Sequence, residues 1–164
     1  MGTNALRDQQ PDFRHCWFMP PPRHPPQIQW AIPGVLARSS RPGNPAEEVI
    51  PEDVEEWIRR ARWLGIRTII SFLTDAEVEA YYSSLKIPLH QAYELAGFTV
   101  LRLPLDDPWN EADNQAALAE LLAALPQLPS PWLVHCSAGV DRTGFAVRHL
   151  VHHLQPAGNQ PKYP

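Results

Sequence analysis

The sequence predicts an α/β fold, a three-layer sandwich in which a central, mostly parallel β-sheet lies between two layers of helices. Three observations lead to this prediction. Short apolar runs typical of buried strands alternate with helical patterns, prolines and glycines separate these segments, and 164 residues suit one domain with a single substantial core. In such sheets ligands bind beyond the carboxyl ends of the strands.

The predicted elements follow one another along nearly the whole domain. Pro51 at the start and Gly65 just past the end delimit the first helix, and Thr74 with Glu77 forms a capping box for the second. In order, the elements are extended segments in 29–37 broken at Pro33-Gly34, a turn-rich loop at 39–45, a helix at 51–64, a strand at 66–72, a helix from 74 to about 85, a short helix ending near 97, a strand at 98–103, a helix at 112–125, a strand at 131–135 and a helix from 142 to about 154.

Proline content separates a terminal arm from this domain. The chain holds 19 prolines, and those at 20–22 and 25–26 leave no room for a helix in residues 1–28. We expect residues 1–28 to form an extended arm, residues 29–154 the main domain and residues 155–164 a tail. The arm is either a proline-rich ligand for an aromatic groove of another protein or a packing segment, and the lack of a repeated PxxP register favours the second.

One loop near the end of the domain carries the chemistry. Five residues separate Cys136 from Arg142, which lets the backbone curl around a tetrahedral anion with its amide N–H groups pointing inward and a helix N-terminus behind them. This positive field stabilises a thiolate, and Arg142 supplies a planar fork that matches two phosphate oxygens. Gly139 and Gly144 are expected to allow close approach to a ligand or to the strand below. The alternative, a buried structural cysteine, is disfavoured because four further residues, two of them glycines, stand at set offsets from Cys136.

The loop also matches a known signature. His135-Cys136 and Arg142-Thr143-Gly144 fit the pattern HCxxGxxRTG, so the chain resembles the cysteine-dependent protein tyrosine and dual-specificity phosphatases. Residues 30–42 and 103–107 resemble the opening segment and the general-acid loop of compact, prokaryotic-type dual-specificity-like members. The resemblance implies the phosphotyrosine protein phosphatase-like fold and hydrolysis through a cysteinyl-phosphate intermediate, a mechanism that requires no metal or organic cofactor.

That mechanism needs a carboxylic acid to protonate the leaving oxygen and later to accept a proton from water. The strand at 98–103 is expected to run beside the nucleophile strand and to deliver Asp106 and Asp107 to the same edge. By resemblance to the family pattern, Asp107 is the general acid and Asp106 the reserve; alternatively, both belong to a solvated turn. Trp109 is expected either to lie over or beside the substrate or to anchor the loop in the core.

Supporting roles fall to residues around the nucleophile. Thr143 is expected to hydrogen-bond the sulfur as a leaving group, and His135 to orient the loop. Asp141 is expected to point away from phosphate and cap the following helix, with placement of the hydrolytic water as the alternative. Arg38 and Arg41 either steer phosphate at the cleft mouth or are solvent-facing charges. The substrate-binding positions are Ser137, Ala138, Gly139, Val140, Asp141 and Arg142.

Composition restricts the partners. A net charge of −4 without a basic run does not favour nucleic acid. Cys16 and Cys136 form no disulfide framework, no apolar stretch approaches about 18 residues, and no signal layout opens the chain, so a cytoplasmic protein with neither nucleic-acid nor membrane partners is predicted. No metal site is predicted at His149, His152 and His153, because no carboxylate or cysteine completes a ligand set nearby.

The substrate follows from cleft depth, which the sequence leaves open. Phosphotyrosine proteins are the first expectation, with phosphoserine and phosphothreonine added if the cleft is shallow. Highly phosphorylated inositol lipids are less favoured as substrates because the loop has no lysine. The alternatives are a small-molecule phosphatase, acting on an inositol phosphate, lipid or nucleotide, and a pseudophosphatase that binds phosphorylated partners without turnover. Intact Cys136, Arg142 and Asp107 argue against the pseudophosphatase.

Overall fold

The computed structural model describes residues 26–106 and 110–155. Within these ranges five strands form one sheet in the order β1-β2-β5-β3-β4, and all neighbours except β1 and β2 are parallel. The predicted α/β fold with a mostly parallel central sheet is confirmed. The strands are β1 (Gln29–Ile32), β2 (Leu36–Ser39), β3 (Thr68–Ser71), β4 (Thr99–Arg102) and β5 (Trp132–His135).

The helices begin close to the predicted positions. Pro51 opens α1, and the capping box of α2 is present, since the Thr74 side chain accepts the Glu77 N–H while the Glu77 side chain accepts the Thr74 N–H. Helix α2 ends at Tyr82, before the predicted end near residue 85, because Ser83 and Ser84 favour a turn. The helices are α1 (Pro51–Trp63), α2 (Asp75–Tyr82), α3 (Leu89–Leu95), α4 (Glu111–Ala124) and α5 (Asp141–Leu154).

Two apolar clusters sandwich the sheet, because successive strand residues point to opposite faces. Ile69 packs in the cluster that includes Trp57 of α1 and Tyr93 of α3. Its neighbour Ile70 packs in the other cluster, which α4 and α5 cover with residues such as Leu150. The sheet therefore has both faces buried, as a mostly parallel sheet requires.

The prediction that the strand at 98–103, now β4, runs beside the nucleophile strand β5 is wrong. β4 pairs with β3, and β3 in turn pairs with β5, so β4 lies one strand away from β5. All four residues of β3 are buried, whereas those of β4 are half-buried or exposed, so β3 takes the interior position and β4 the edge. Because the three strands are parallel, their carboxyl ends still meet at one edge of the sheet.

Several predictions concern residues outside the described ranges. These are residues 1–25 of the arm with Cys16, the general-acid candidate Asp107, Trp109, and residues 156–164 of the tail. The helices of the described ranges are all too short or too polar to cross a membrane.

Candidate active site

The loop between β5 and α5 passes directly against the end of β2. Gly139 in this loop has a φ of +75°, and a Cβ added there would lie 2.5 Å from the carbonyl oxygen of Ser39. Backbone conformation and backbone contact therefore both require glycine. At Gly144 an added Cβ would have Arg38 Nη2 as its nearest neighbour, at an ordinary 3.6 Å, so close approach of Gly144 to a strand is not found among the described residues; its approach to a ligand stays a prediction.

Cys136 follows directly after β5 and is 2% exposed. Its Sγ accepts the backbone N–H of Gly139 at 3.3 Å, so one amide of the loop points at the sulfur. Ala138 and Val140 on either side of Gly139 are exposed. The loop therefore has a buried sulfur and an exposed crest made of small and apolar side chains.

His135 fixes the peptide on the N-terminal side of this loop. Its Nδ1 lies 3.2 Å from the Cys136 carbonyl oxygen, which can only accept, so Nδ1 carries the proton and Nε2 accepts from the Tyr93 hydroxyl at 3.3 Å. Burial lowers the pKa of His135 to about 3 and raises the pKa of Tyr93 well above its usual value. Both side chains are therefore neutral, and this neutral pair holds the carbonyl of the cysteine.

Arg142, in the first turn of α5, is 2% exposed and connects three parts of the site. Its Nη1 and Nη2 donate to Glu77 Oε2 and Oε1 at 2.9 and 2.7 Å, forming a bidentate ion pair. Nη1 also donates to the carbonyl oxygen of Leu105 at 2.7 Å and to that of Phe72 at 3.4 Å. The guanidinium thus joins α2, the end of β3 and the segment after β4.

Glu77 is the residue of this site that sequence analysis missed, since it gave Glu77 only the role of capping partner. Its Oε2 also accepts the Thr74 N–H at 2.9 Å. Burial raises the pKa of Glu77, but hydrogen bonds from Arg142 and Thr74 outweigh it and leave the pKa below its usual value. The position of Glu77 in the sequence could have revealed this role, because a carboxylate in the first turn of a helix that follows a parallel strand lies at the ligand-binding edge of the sheet.

Arg38 and Arg41 both contact the loop. Arg38 Nη2 donates to the carbonyl oxygen of Gly139 at 2.6 Å, while Arg41 donates from its backbone N–H to the carbonyl oxygen of Ser137 at 2.9 Å and from Nε to the Ser137 hydroxyl at 3.2 Å. Arg41 is 3% exposed, and its guanidinium lies 3.6 Å from the centroid of the Tyr81 ring. The prediction that Arg41 is a solvent-facing charge is therefore wrong, whereas its steering of phosphate stays a prediction.

The remaining predicted residues are placed as follows. The buried Thr143 hydroxyl has no hydrogen-bond partner within residues 26–106 and 110–155, so it does not bond Sγ in this structure. Asp141 is exposed and caps nothing, because α5 begins at Asp141 itself and Val140 occupies the cap position; the predicted cap is wrong. At the first helical position its carboxylate still interacts favourably with the helix dipole. Asp106 is exposed, in a groove between β4 and α4.

The described residues contain no cluster of side chains that could bind a metal ion. Across residues 26–106 and 110–155, no three His, Cys, Asp or Glu side chains are placed to hold a metal ion. His149 instead packs against Phe145, with ring centroids 4.6 Å apart.

The fold and this loop define a phosphatase. A comparison with protein families matches residues 33–157 to the tyrosine phosphatase family, and the chain belongs to that family. The predicted resemblance to cysteine-dependent tyrosine and dual-specificity phosphatases is thereby confirmed.

Solved structures agree with the fold. The kinase associated phosphatase, in a form with its catalytic-site cysteine replaced by serine, is 21% identical with a TM-score of 0.56, and the match covers 84% of this chain and 79% of that one. A putative phosphatase from Shewanella putrefaciens CN-32 is 20% identical with a TM-score of 0.56, over 81% and 73%. The active form of Tk-PTP is 20% identical with a TM-score of 0.52, over 84% and 76%. None of the curated proteins matches the chain significantly.

Proposed function

We propose that the protein hydrolyses phosphate monoesters through a cysteinyl-phosphate intermediate with Cys136 as the nucleophile. The observation that supports this most directly is the Gly139 N–H, which points at Sγ from a distance of 3.3 Å. An amide directed at the sulfur stabilises a thiolate and leaves the concave side of the loop suited to an anion.

The reaction has two steps. The Cys136 thiolate attacks phosphorus, the S–P bond forms while the bond to the leaving oxygen breaks, and Asp107 gives that oxygen its proton. Water then attacks the phosphocysteine and transfers a proton to Asp107, which releases inorganic phosphate and regenerates the thiolate. Arg142 and the loop amides stabilise the transferring group, and the Thr143 hydroxyl hydrogen-bonds the departing sulfur.

The acid role of Asp107 is supported by the residues before it. Leu105, two positions earlier, accepts from Arg142 Nη1 at 2.7 Å and donates its N–H to the Phe72 carbonyl oxygen at 3.1 Å. The segment that leads to Asp107 is thus attached to the site. Asp107→Asn should lower turnover more than Asp106→Asn, and the reverse order would move the acid role to Asp106.

The substrate class we propose is phosphotyrosine in proteins, extending to phosphoserine and phosphothreonine if the cleft admits them. Val140 is 60% exposed and Ala138 is exposed, so the crest of the loop offers apolar contact rather than cations. An aromatic ester gains from such contact, whereas a highly phosphorylated ligand requires cations that the crest lacks. A panel of phosphopeptides, inositol phosphates and nucleotides, assayed with the wild type and the Cys136→Ser trap, decides between protein and small-molecule substrates.

The nucleophile assignment is tested with p-nitrophenyl phosphate under reducing conditions. Cys136→Ser should abolish turnover and keep binding of tungstate, a phosphate analogue, because the loop amides remain. Cys16→Ser is the matched control and should turn over like the wild type. Measurable turnover by Cys136→Ser would overturn the assignment, and a wild type that binds tungstate without any turnover on the panel would indicate a pseudophosphatase.

Two further proposals concern organisation and location. Residues 29–154 form the catalytic domain, which is supported by the family match over 33–157 and by strands and helices that run from Gln29 to Leu154. The protein works in the cytoplasm, which is supported by the need of a reactive thiolate for a reducing compartment.

A further inference from the structure

The segment Arg38–Arg41, which we call the frame segment, binds two carbonyl groups of the loop that are separated by one residue. The Arg41 backbone N–H holds the carbonyl oxygen of Ser137 at 2.9 Å, and Arg38 Nη2 holds that of Gly139 at 2.6 Å. The frame segment therefore fixes the orientation of the two peptide units that begin at Ser137 and Gly139.

Each of these peptide units also contains an N–H group, which belongs to the following residue. In a trans peptide the C=O and the N–H point in opposite directions, so the N–H of Ala138 points away from Arg41 and the N–H of Val140 points away from Arg38. Within the described ranges neither amide donates a hydrogen bond. Both are thus oriented as donors by bonds made on the other side of the loop.

The frame segment is itself held from outside the loop. Trp57 Nε1 donates to the Ser39 hydroxyl at 3.1 Å and to the Ser40 carbonyl oxygen at 3.2 Å, and Arg41 Nη2 donates to the Ala46 carbonyl oxygen at 2.6 Å. Its position therefore does not depend on a bound anion.

Arg41 adds charge as well as geometry. Among the described residues no carboxylate lies within 4.0 Å of its guanidinium, which carbonyl oxygens and the Tyr81 ring solvate instead. The charge of Arg142, by contrast, is paired with Glu77. A buried cation without a carboxylate partner adds to the positive potential at the loop, where the transferring phosphate would lie.

We infer that Arg38 and Arg41 are positioning residues, which orient the amides of Ala138 and Val140 toward the transferring phosphate and do not contact the substrate. The inference rests on the proposed function, because it takes the anion at this loop to be the phosphate that is transferred to Cys136. In this role the two arginines bind the carbonyl oxygens of the loop, on the side away from the anion, and do not steer phosphate into the site.

The test compares anion binding with turnover in arginine variants. Arg38→Met should weaken tungstate binding by about tenfold or more and lower kcat by about 10- to 100-fold, somewhat less than the complete removal of one oxyanion donor does. Arg41→Met keeps the backbone N–H that holds the Ser137 carbonyl oxygen and loses the charge and the Nε bond to the Ser137 hydroxyl, so it should weaken both quantities in the same direction by a smaller factor. Arg60→Met is the matched control, since Arg60 is exposed, stacks on Trp63 and should leave both quantities unchanged.

Backbone amide NMR gives a readout that loss of stability alone would not change. In the wild type, tungstate should shift the ¹⁵N–¹H signals of Ala138 and Val140, and the shift of Val140 should be lost in Arg38→Met while that of Ala138 weakens in Arg41→Met. Should a methionine variant fail to fold, Arg38→Lys and Arg41→Lys decide, because a lysine keeps the charge and one donor and should recover part of the tungstate affinity.

Two results would overturn the inference. One is wild-type tungstate affinity in Arg38→Met, and the other is a raised KM for phosphopeptides with unchanged kcat and tungstate affinity, which would return both arginines to substrate steering. Tungstate binding needs no turnover, so an inactive wild type would defeat the proposed hydrolysis and still allow the positioning roles to be tested.

Discussion

Gly139→Ala is the perturbation whose effect the structure defines most closely. The substitution places a Cβ 2.5 Å from the Ser39 carbonyl oxygen and 2.6 Å from the Ser40 nitrogen, both backbone atoms. Ordinary contact begins at 3.4 Å, so the loop must move by about 0.9 Å from the frame segment (3.4 − 2.5). The Arg38 bond to the Gly139 carbonyl oxygen would lengthen from 2.6 Å to about 3.5 Å, beyond useful hydrogen-bond length.

The expected energies follow from two contributions. Alanine with a φ of +75° is destabilised by about 1–2 kcal/mol, and overpacking against backbone adds about 1–3 kcal/mol. Gly34→Ala is the matched control, since Gly34 has a φ of +71° with nothing within 4 Å of an added Cβ, and it should show the first contribution alone. A displacement near 1 Å at catalytic groups lowers turnover by about 100-fold.

The assay is urea denaturation together with p-nitrophenyl phosphate turnover for both variants. Gly139→Ala should lose about 1–3 kcal/mol more free energy of unfolding than Gly34→Ala, and about 100-fold in kcat, whereas Gly34→Ala should keep wild-type kcat. The contact between the loop and the frame segment would be refuted if Gly139→Ala and Gly34→Ala lost the same free energy of unfolding, or if the kcat of Gly139→Ala stayed within about threefold of the wild type.

Three further predictions concern stability. Glu77→Gln should lower the free energy of unfolding by about 1–3 kcal/mol in urea, because it removes the carboxylate of the partly exposed ion pair between Glu77 and Arg142, while exposed Glu79→Gln should change it little. Burial lowers the pKa of His135 to about 3 and that of His90 to about 4, so both stay neutral in the folded protein and take a proton in the unfolded chain below their usual 6.5. The free energy of unfolding should therefore be level above pH 6.5 and fall from pH 6.5 to 5, by up to about 1.4 kcal/mol per pH unit for each histidine; a flat urea series over that range would contradict this. Asn114→Leu should raise the free energy of unfolding by about 1–3 kcal/mol, because both amide atoms of Asn114 are buried without hydrogen-bond partners among the described residues, and a lowered Tm would show that the amide is satisfied.

The loop shows how far sequence reasoning extends to the site. Spacing between Cys136 and Arg142 predicts an anion cradle, and the Gly139 N–H directed at Sγ has the geometry expected of one. The cap predicted for Asp141 failed by a single residue, because helix boundaries depend on hydrogen bonds that a local pattern does not resolve. Local chemistry was therefore more readily predicted than the exact placement of each side chain.

Strand order shows the corresponding limit for the fold. Apolar runs and helix caps are local, so they predicted nearly every element within a few residues. Which parallel strand lies beside which depends on crossovers and on total burial, and β3 rather than β4 occupies the place next to β5 because all four of its residues can be buried.

By itself the sequence determined the alternation of strands and helices, the family and the loop that holds sulfur and guanidinium, since these depend on spacing over a few residues. Tertiary structure alone decided that Glu77 pairs with Arg142, and that Arg38 and Arg41 grip the loop from segments about 100 positions earlier in the chain. Such contacts form only when β2, β3 and β5 are brought side by side, and no local pattern specifies which long-range partner a charged side chain will meet.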